Sequence, residues 1–171
     1  MQIPTLETPR LRLRPQSWED WPEYRNMMAS GRSTYMGGPF SEKYAWGMFC
    51  NDLAQWALFG HGSLMLENRE DGRCLGQVGV NHGPLFPEPE LGWMLYPGAE
   101  GHGSAHEAAV ALREWAFQVR RLSTLVSYID PGNMRSRRLA ERLGAELDPD
   151  AVKQDPDDLV YRHAAPRTAG N

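Results

Sequence analysis

One stretch of this chain decides the fold: Glu90-Leu-Gly-Trp-Met-Leu-Tyr-Pro-Gly-Ala-Glu-Gly-His-Gly-Ser-Ala-His-Glu-Ala-Ala109. Its first part, from Leu91 to Tyr96, consists mainly of large apolar and aromatic residues, as buried strands do. Pro97 and Gly98 end that strand, and a glycine-rich loop follows. Apolar residues then recur at helical spacing at Ala105, Ala108, Ala109, Leu112, Ala116 and Val119. The stretch therefore predicts a strand, a glycine loop and one amphipathic helix.

The start of that helix is a candidate anion site. A helix that begins from a glycine loop has unpaired N–H groups and the positive end of its dipole there, so it favours a phosphate. Gly101 and Gly103 allow the backbone to approach such a ligand closely. However, Ser104 and Glu107 also fit a Ser-x-x-Glu capping box, which would satisfy two of the same donors internally. The residues alone leave anion binding and ordinary capping open.

Two segments resemble the GNAT acetyltransferase superfamily. The first comprises residues 90–95 and 100–108 and resembles the family's acetyl-CoA-binding segment, and the second, Asp130 to Ala145, resembles its Asn-containing loop and following helix. The opening, Leu6 to Pro15, resembles the branch that includes ribosomal-protein N-terminal acetyltransferases. The resemblance implies an α/β fold with a mixed, mostly antiparallel central sheet, helices on both faces, and a splayed parallel strand pair that binds the cofactor.

The same resemblance implies acetyl-CoA as cosubstrate and assigns residues to it. Backbone N–H groups of the loop would hold the pyrophosphate, the strand would pair with the pantetheine arm, and Asn133 would contact that arm. Asn133 also reads as a helix N-cap. The family usually has Gln or Arg at the position of Glu100, and a carboxylate there is unfavourable for a phosphate unless it points to solvent. The assigned cofactor residues are Met94, Leu95, Tyr96, Gly101, His102, Gly103, Ser104, Ala105 and Asn133.

Acetyl transfer to an amine requires the neutral amine, which a positioned base can generate. Glu90, at the entry to the cofactor strand, is the candidate general base, acting through water, and Glu88 is the reserve. An exposed strand-end carboxylate without catalytic function remains the alternative for Glu90. Many GNAT enzymes protonate the leaving thiolate with a Tyr, but Ala140 occupies that place. Ser136 is the substitute suggested by the ribosomal-protein branch, unless it only hydrogen-bonds within its helix.

Other elements follow from local patterns. We expect a strand near residues 10–14, helices over 17–28, 41–59 and 133–143, a hairpin of strands 63–67 and 73–81, and strands over 123–129 and 159–163. The polar, glycine-rich segment 29–40 is expected to be a loop, in which Tyr35, Met36 and Phe40 are candidate acceptor contacts or simple loop packing. Three prolines between Gly83 and Glu90 predict a stiff, exposed loop, whose acidic residues suit a cationic partner.

Composition limits the function classes. The 171 residues fit one domain, expected over 1–164, with a disordered tail over 165–171. The net charge of −4 argues against general binding to nucleic acid or anionic membranes, and no segment resembles a signal peptide or a membrane span. Two cysteines favour a reducing cytoplasm, and the spacing of the five histidines predicts no metal site.

The sequence therefore predicts a cytoplasmic N-acetyltransferase that moves acetyl from acetyl-CoA to a primary amine, a peptide N-terminus or a small amine, by direct transfer in a ternary complex. The alternative is a non-catalytic acyl-CoA-binding regulatory domain, which Glu100 and the missing Tyr would suit. A nucleotide-binding module is the third hypothesis, but no Gly-Lys-Ser/Thr ending is present. An apolar helix face or added strand pairing could make a homodimer.

Overall fold

The computed structural model describes residues 2–165, so most of the predicted tail lies outside the described residues. The described strands form one sheet in the spatial order β1-β2-β3-β4-β5-β6-β8-β7. Their bounds are β1 Leu6–Glu7, β2 Leu11–Arg14, β3 Ser63–Asn68, β4 Cys74–Gly83, β5 Phe86–Leu95, β6 Val126–Ile129, β7 Glu146–Leu147 and β8 Leu159–Arg162. The helices are α1 Trp21–Ala29, α2 Glu42–Phe59, α3 Ser104–Gln118 and α4 Met134–Arg142.

The centre of the sheet holds its single parallel pair, β5 and β6; the other neighbouring strands in residues 2–165 are antiparallel. Only one residue pair, Glu90 with Val126, is in register between β5 and β6. Both strands continue beyond this pair, to Leu95 and Ile129, without further pairing. The two strands therefore splay apart, and the predicted mixed, mostly antiparallel fold is confirmed.

Strand alternation divides the core between the two faces of the sheet. Leu64, Leu66 and Leu91 pack with α3 and α4 on one face. Met65 and Met94 pack with α1 and α2 on the other. Because successive strand residues point to opposite faces, Glu90 and Gly92 share the α1/α2 face with Met94. The candidate base thus lies on the face opposite α3.

The predicted exposed loop before Glu90 is wrong, because β5 already begins at Phe86. Pairing with β4 shifts between Asn81 and Gly83, so Pro87 and Pro89 fall in an irregular part of the ladder. A bulge is one of the few places where a sheet tolerates residues without an N–H donor. The prolines therefore interrupt the pairing without ending the strand.

Smaller differences lie at the edges. The predicted loop 29–40 contains a 3₁₀ segment, Gly31–Met36, and the first helix begins at Trp21 after a 3₁₀ turn, Trp18–Asp20. Two-residue edge strands β1 and β7 were not expected, because such short strands carry no periodic pattern. By contrast, α2 begins and ends as predicted, capped by the Ser41 side chain and by Gly60 in the left-handed conformation.

Candidate active site

The gap between β5 and β6 exposes main-chain groups of β5. The N–H of Tyr96 donates to the Leu75 carbonyl and its own carbonyl accepts from Ala99, so both main-chain groups of Tyr96 already have a partner, and its contact with a cofactor stays a prediction. Because antiparallel pairing alternates along a strand, Met94 also faces β4, whereas Trp93 and Leu95 face the gap. A pantetheine arm would therefore pair with Trp93 and Leu95, of which only Leu95 was assigned.

The divergence of the strands is maintained by side chains. The Ser127 hydroxyl donates to the Leu91 carbonyl at 2.6 Å and contacts Nε2 of His163 at 2.9 Å. This hydroxyl replaces the strand partner that Leu91 would otherwise have. Burial lowers the pKa of His163 to about 4, so the ring is neutral at physiological pH. The end of the paired region is therefore fixed by uncharged groups.

The N-terminus of α3 has no side-chain cap. Gly103 is the N-cap, in the left-handed conformation, and Ser104 is the first helical residue. The Glu107 carboxylate turns away and accepts from the Thr8 hydroxyl at 2.6 Å and from the backbone N–H of Arg10 at 2.9 Å. Ser104 and Glu107 therefore do not form the capping box that their spacing allows. The first N–H groups of the helix remain available to an anion.

Glu100 does not make this loop anionic. Its carboxylate contacts the guanidinium of Arg32, lies 3.6 Å from Arg135, and accepts from the Gly98 N–H at 3.1 Å. Burial raises the pKa of Glu100, but hydrogen bonds from the backbone and Arg32 outweigh it, so the net shift is downward. Two guanidinium groups from other segments therefore compensate this carboxylate.

Asn133 and Ser136 lie at the opposite side of the gap, at the start of α4. Oδ1 of Asn133 accepts from the Ser136 N–H at 3.2 Å, so Asn133 is the helix N-cap. Its amide NH2 group has no partner within residues 2–165, and contact with a cofactor stays a prediction. The indole N–H of Trp93 donates to the Ser136 hydroxyl at 3.2 Å, which places Ser136 against the gap-facing strand.

Glu90 is buried, with 7% of its surface exposed, and is not the exposed strand-end carboxylate of the alternative interpretation. Asn81 donates to Oε2 at 2.9 Å. A Cβ atom at Gly92 would lie 2.9 Å from Oε1, so the missing side chain of Gly92 makes room for the carboxylate. Burial raises the pKa of Glu90 to about 7. The hydrogen bond from Asn81 opposes this rise, and the charges of Asp158 and Asp52 add to it. Such a group accepts and releases protons near neutral pH.

A second carboxyl, the half-buried Asp52, lies on the same face and was not anticipated. Oδ2 accepts from the Tyr24 hydroxyl at 2.9 Å and from the Gln77 amide at 3.0 Å. Burial raises the pKa of Asp52 to about 6 in spite of these bonds. The sequence did carry a signal, because Asp52 falls at helical spacing between Phe49 and Trp56 on the buried side of α2.

Glu88, the reserve base, is engaged elsewhere. It forms a two-pronged ion pair with Arg162, at 2.8 and 2.9 Å, and accepts from the Thr124 hydroxyl at 2.6 Å. The hydrogen bond from Arg162 holds the pKa of Glu88 below its usual value. Glu88 is therefore a poor base near pH 7, and its charge is not free for a cationic acceptor.

The candidate acceptor contacts lie along the 3₁₀ segment and the start of α2. Tyr35 and Met36 are exposed, and Phe40 stacks on Tyr44 at 5.1 Å between ring centroids. Tyr35 reaches across to the loop before α4, since a Cβ atom added to Gly132 would lie 3.4 Å from the Tyr35 ring. The 3₁₀ segment thus spans the mouth of the gap between β5 and β6.

Comparison with known proteins identifies the family. Residues 10–146 match the model of the acetyltransferase (GNAT) domain. The chain belongs to the GNAT acetyltransferase family. A solved acetyltransferase from Agrobacterium tumefaciens str. C58 is 58% identical, with a TM-score of 0.93 over 96% of both chains. The GNAT interpretation of the fold is therefore confirmed.

More distant matches cover only part of the chain or share only its fold. Ribosomal-protein-S5-alanine acetyltransferase from Vibrio fischeri has the same fold at 16% identity, with a TM-score of 0.68 over 94% of this chain and 95% of that one. The uncharacterized protein YkkB of Bacillus subtilis is 33% identical over 88 residues, and this match spans about half of either chain. The acceptor substrate does not follow from these likenesses.

Among residues 2–165, no helix combines the length and apolar character needed to cross a bilayer. In the same part of the chain, no group of three or more His, Cys, Asp or Glu side chains is arranged to hold a metal ion.

Proposed function

We propose that this protein transfers the acetyl group of acetyl-CoA to a primary amine, a peptide N-terminus or a small amine, by direct attack in a ternary complex. The observation that carries the proposal is the buried Glu90 carboxyl, which has a pKa of about 7 and lies where β5 and β6 begin to diverge. Burial of an ionisable group at such a junction is typical of a functional site.

The residues of the gap fit acetyl-CoA. The uncapped N-terminus of α3 suits the pyrophosphate, and the main-chain groups of Trp93 and Leu95 that face the gap suit the amides of the pantetheine arm. Acetyl-CoA supplies the activated acetyl thioester. Main-chain N–H groups on this stretch of β5 would polarise its carbonyl and stabilise the oxyanion that develops there.

Glu90 would generate the reactive amine. An α-ammonium with a pKa near 8 costs only about 1 kcal/mol to deprotonate at pH 7, whereas a lysine side chain costs about 4 to 5 kcal/mol. Glu90 takes the proton from the ammonium through a water molecule. The amine nitrogen then bonds to the acetyl carbon, the carbon–sulfur bond breaks, and the second proton that the nitrogen loses reaches the leaving thiolate through the Ser136 hydroxyl, which takes up one proton as it gives another.

Initial-rate kinetics test this proposal. Release of free CoA thiol would be measured with peptides that carry a free α-amine, with the same peptides after N-acetylation, and with small amines. We expect intersecting double-reciprocal plots and activity only with free amines. Parallel plots would contradict direct transfer, and acetyl-CoA binding without turnover across the panel would favour the non-catalytic acyl-CoA-binding alternative.

A further inference from the structure

Arg32 links the 3₁₀ segment to the end of β5. One terminal nitrogen, Nη2, donates to the Leu95 carbonyl at 2.9 Å and also contacts the Glu100 carboxylate. The Leu95 carbonyl is one of the main-chain groups that face the gap. Arg32 therefore occupies an acceptor that a ligand in the gap would use.

Arg32 also determines the charge at the start of the phosphate loop. With Arg135, it places two guanidinium groups around the single carboxylate of Glu100. The excess positive charge lies beside the positive end of the α3 dipole. Arg32 thus supplies a cation beside Glu100 from a segment 68 residues earlier in the chain.

A bound cofactor would compete with both contacts of Arg32. An extended pantetheine arm that hydrogen-bonds along β5 would take the Leu95 carbonyl and leave the guanidinium without that acceptor. A diphosphate is a strong alternative, because guanidinium groups bind phosphate oxygens with paired, charge-assisted hydrogen bonds. The side chain of Arg32 is 33% exposed and that of Glu100 is 26% exposed, so both groups are accessible to such a ligand.

We propose that Arg32 exchanges the Leu95 carbonyl and Glu100 for the diphosphate of acetyl-CoA, so that the carbonyl becomes available to the pantetheine arm and Arg32 holds the cofactor. This inference rests on the proposed function, since it takes acetyl-CoA as the ligand. It makes Glu100 a temporary partner of Arg32 rather than a defect in the phosphate loop.

Equilibrium binding separates the two roles of Arg32. CoA and S-acetylpantetheine, which lacks the diphosphate, would be titrated into the parent protein, R32A and E100Q, by calorimetry or by NMR. We expect R32A to weaken CoA binding about tenfold, as loss of a charge-assisted hydrogen bond does, and to leave S-acetylpantetheine binding unchanged or tighter. E100Q removes the competing carboxylate, so CoA should bind more tightly.

R25A is the matched control, because Arg25 also carries one positive charge and pairs with an exposed carboxylate, Glu42, at 3.6 Å. It should change neither affinity. Unchanged CoA affinity in R32A, equal weakening of both ligands, or weaker CoA binding by E100Q would overturn the inference while leaving the cofactor assignment intact. A folded parent protein that binds no CoA would overturn the proposed function as well.

Discussion

Replacement of Glu90 by Gln should raise the stability of the protein at alkaline pH while it removes most of the activity. A carboxyl group with a pKa of about 7 instead of its usual 4.5 costs about 3 kcal/mol more to ionise in the folded state. Between pH 4.5 and pH 7 the folded protein keeps a proton that the unfolded chain has released. Stability therefore falls as the pH rises through this window, and the full penalty is present above pH 7.

The E90Q variant carries no charge at this position, yet its side-chain oxygen can still accept from Asn81. Denaturant unfolding should therefore show E90Q more stable than the parent by up to about 3 kcal/mol at pH 8 and equally stable near pH 4.5. In the kinetic assay, kcat/KM of the parent should fall about tenfold per pH unit well below pH 7. E90Q should lose about 10² to 10⁴ in rate, the usual contribution of a general base, and its acidic limb should move from the pKa of Glu90 to that of the amine substrate, about 8 for an α-amine.

E88Q is the matched control, because Glu88 is ion-paired with Arg162 and has a lowered pKa. It should retain the acidic limb near pH 7 and gain no stability at pH 8. The reasoning would be refuted if E90Q kept the parent's rate and acidic limb, or if its stability at pH 8 were no higher than that of the parent.

Three further substitutions test neighbouring residues. S136A should lower kcat by less than about tenfold, since a CoA thiolate leaves readily, and an unchanged kcat for thiol release would show that no acid is needed there. G92A would place a Cβ atom 2.9 Å from Oε1 of Glu90, so chemical unfolding should show a loss of about 1 to 3 kcal/mol, whereas G47A, with open space at its Cβ position, should not destabilise. D52N removes a negative charge that raises the pKa of Glu90, so the acidic limb of kcat/KM should move to lower pH; a limb that stays in place would exclude this influence.

Local patterns predicted the elements that carry the site. The alternation of Leu91 to Tyr96, the glycine loop and the spacing of Ala105 to Ala116 depend only on neighbouring residues, and the structure has β5 and α3 there. The prolines at 87 and 89 misled the prediction, because their tolerance depends on a register shift relative to β4. Register is a property of two strands and cannot be read from one.

The partners of charged side chains were the least predictable part. Glu107 fitted a capping box by spacing, but Thr8 and Arg10, almost a hundred residues earlier, bind it instead. Glu100 likewise pairs with Arg32 across the gap. Such contacts arise from tertiary packing and leave no periodic trace in the sequence. The sequence therefore singled out Glu90 and the glycine loop as candidates, but not the charged side chains that contact them.

The central claim is that the gap between β5 and β6 binds acetyl-CoA, and calorimetric titration of the unmodified protein tests it most directly. Acetyl-CoA, CoA and ATP would be titrated in parallel under identical conditions. We expect acetyl-CoA and CoA to bind, and ATP, which lacks the pantetheine arm, to bind far more weakly. Tighter binding of ATP than of CoA, or no binding of acetyl-CoA to the folded protein, would contradict it.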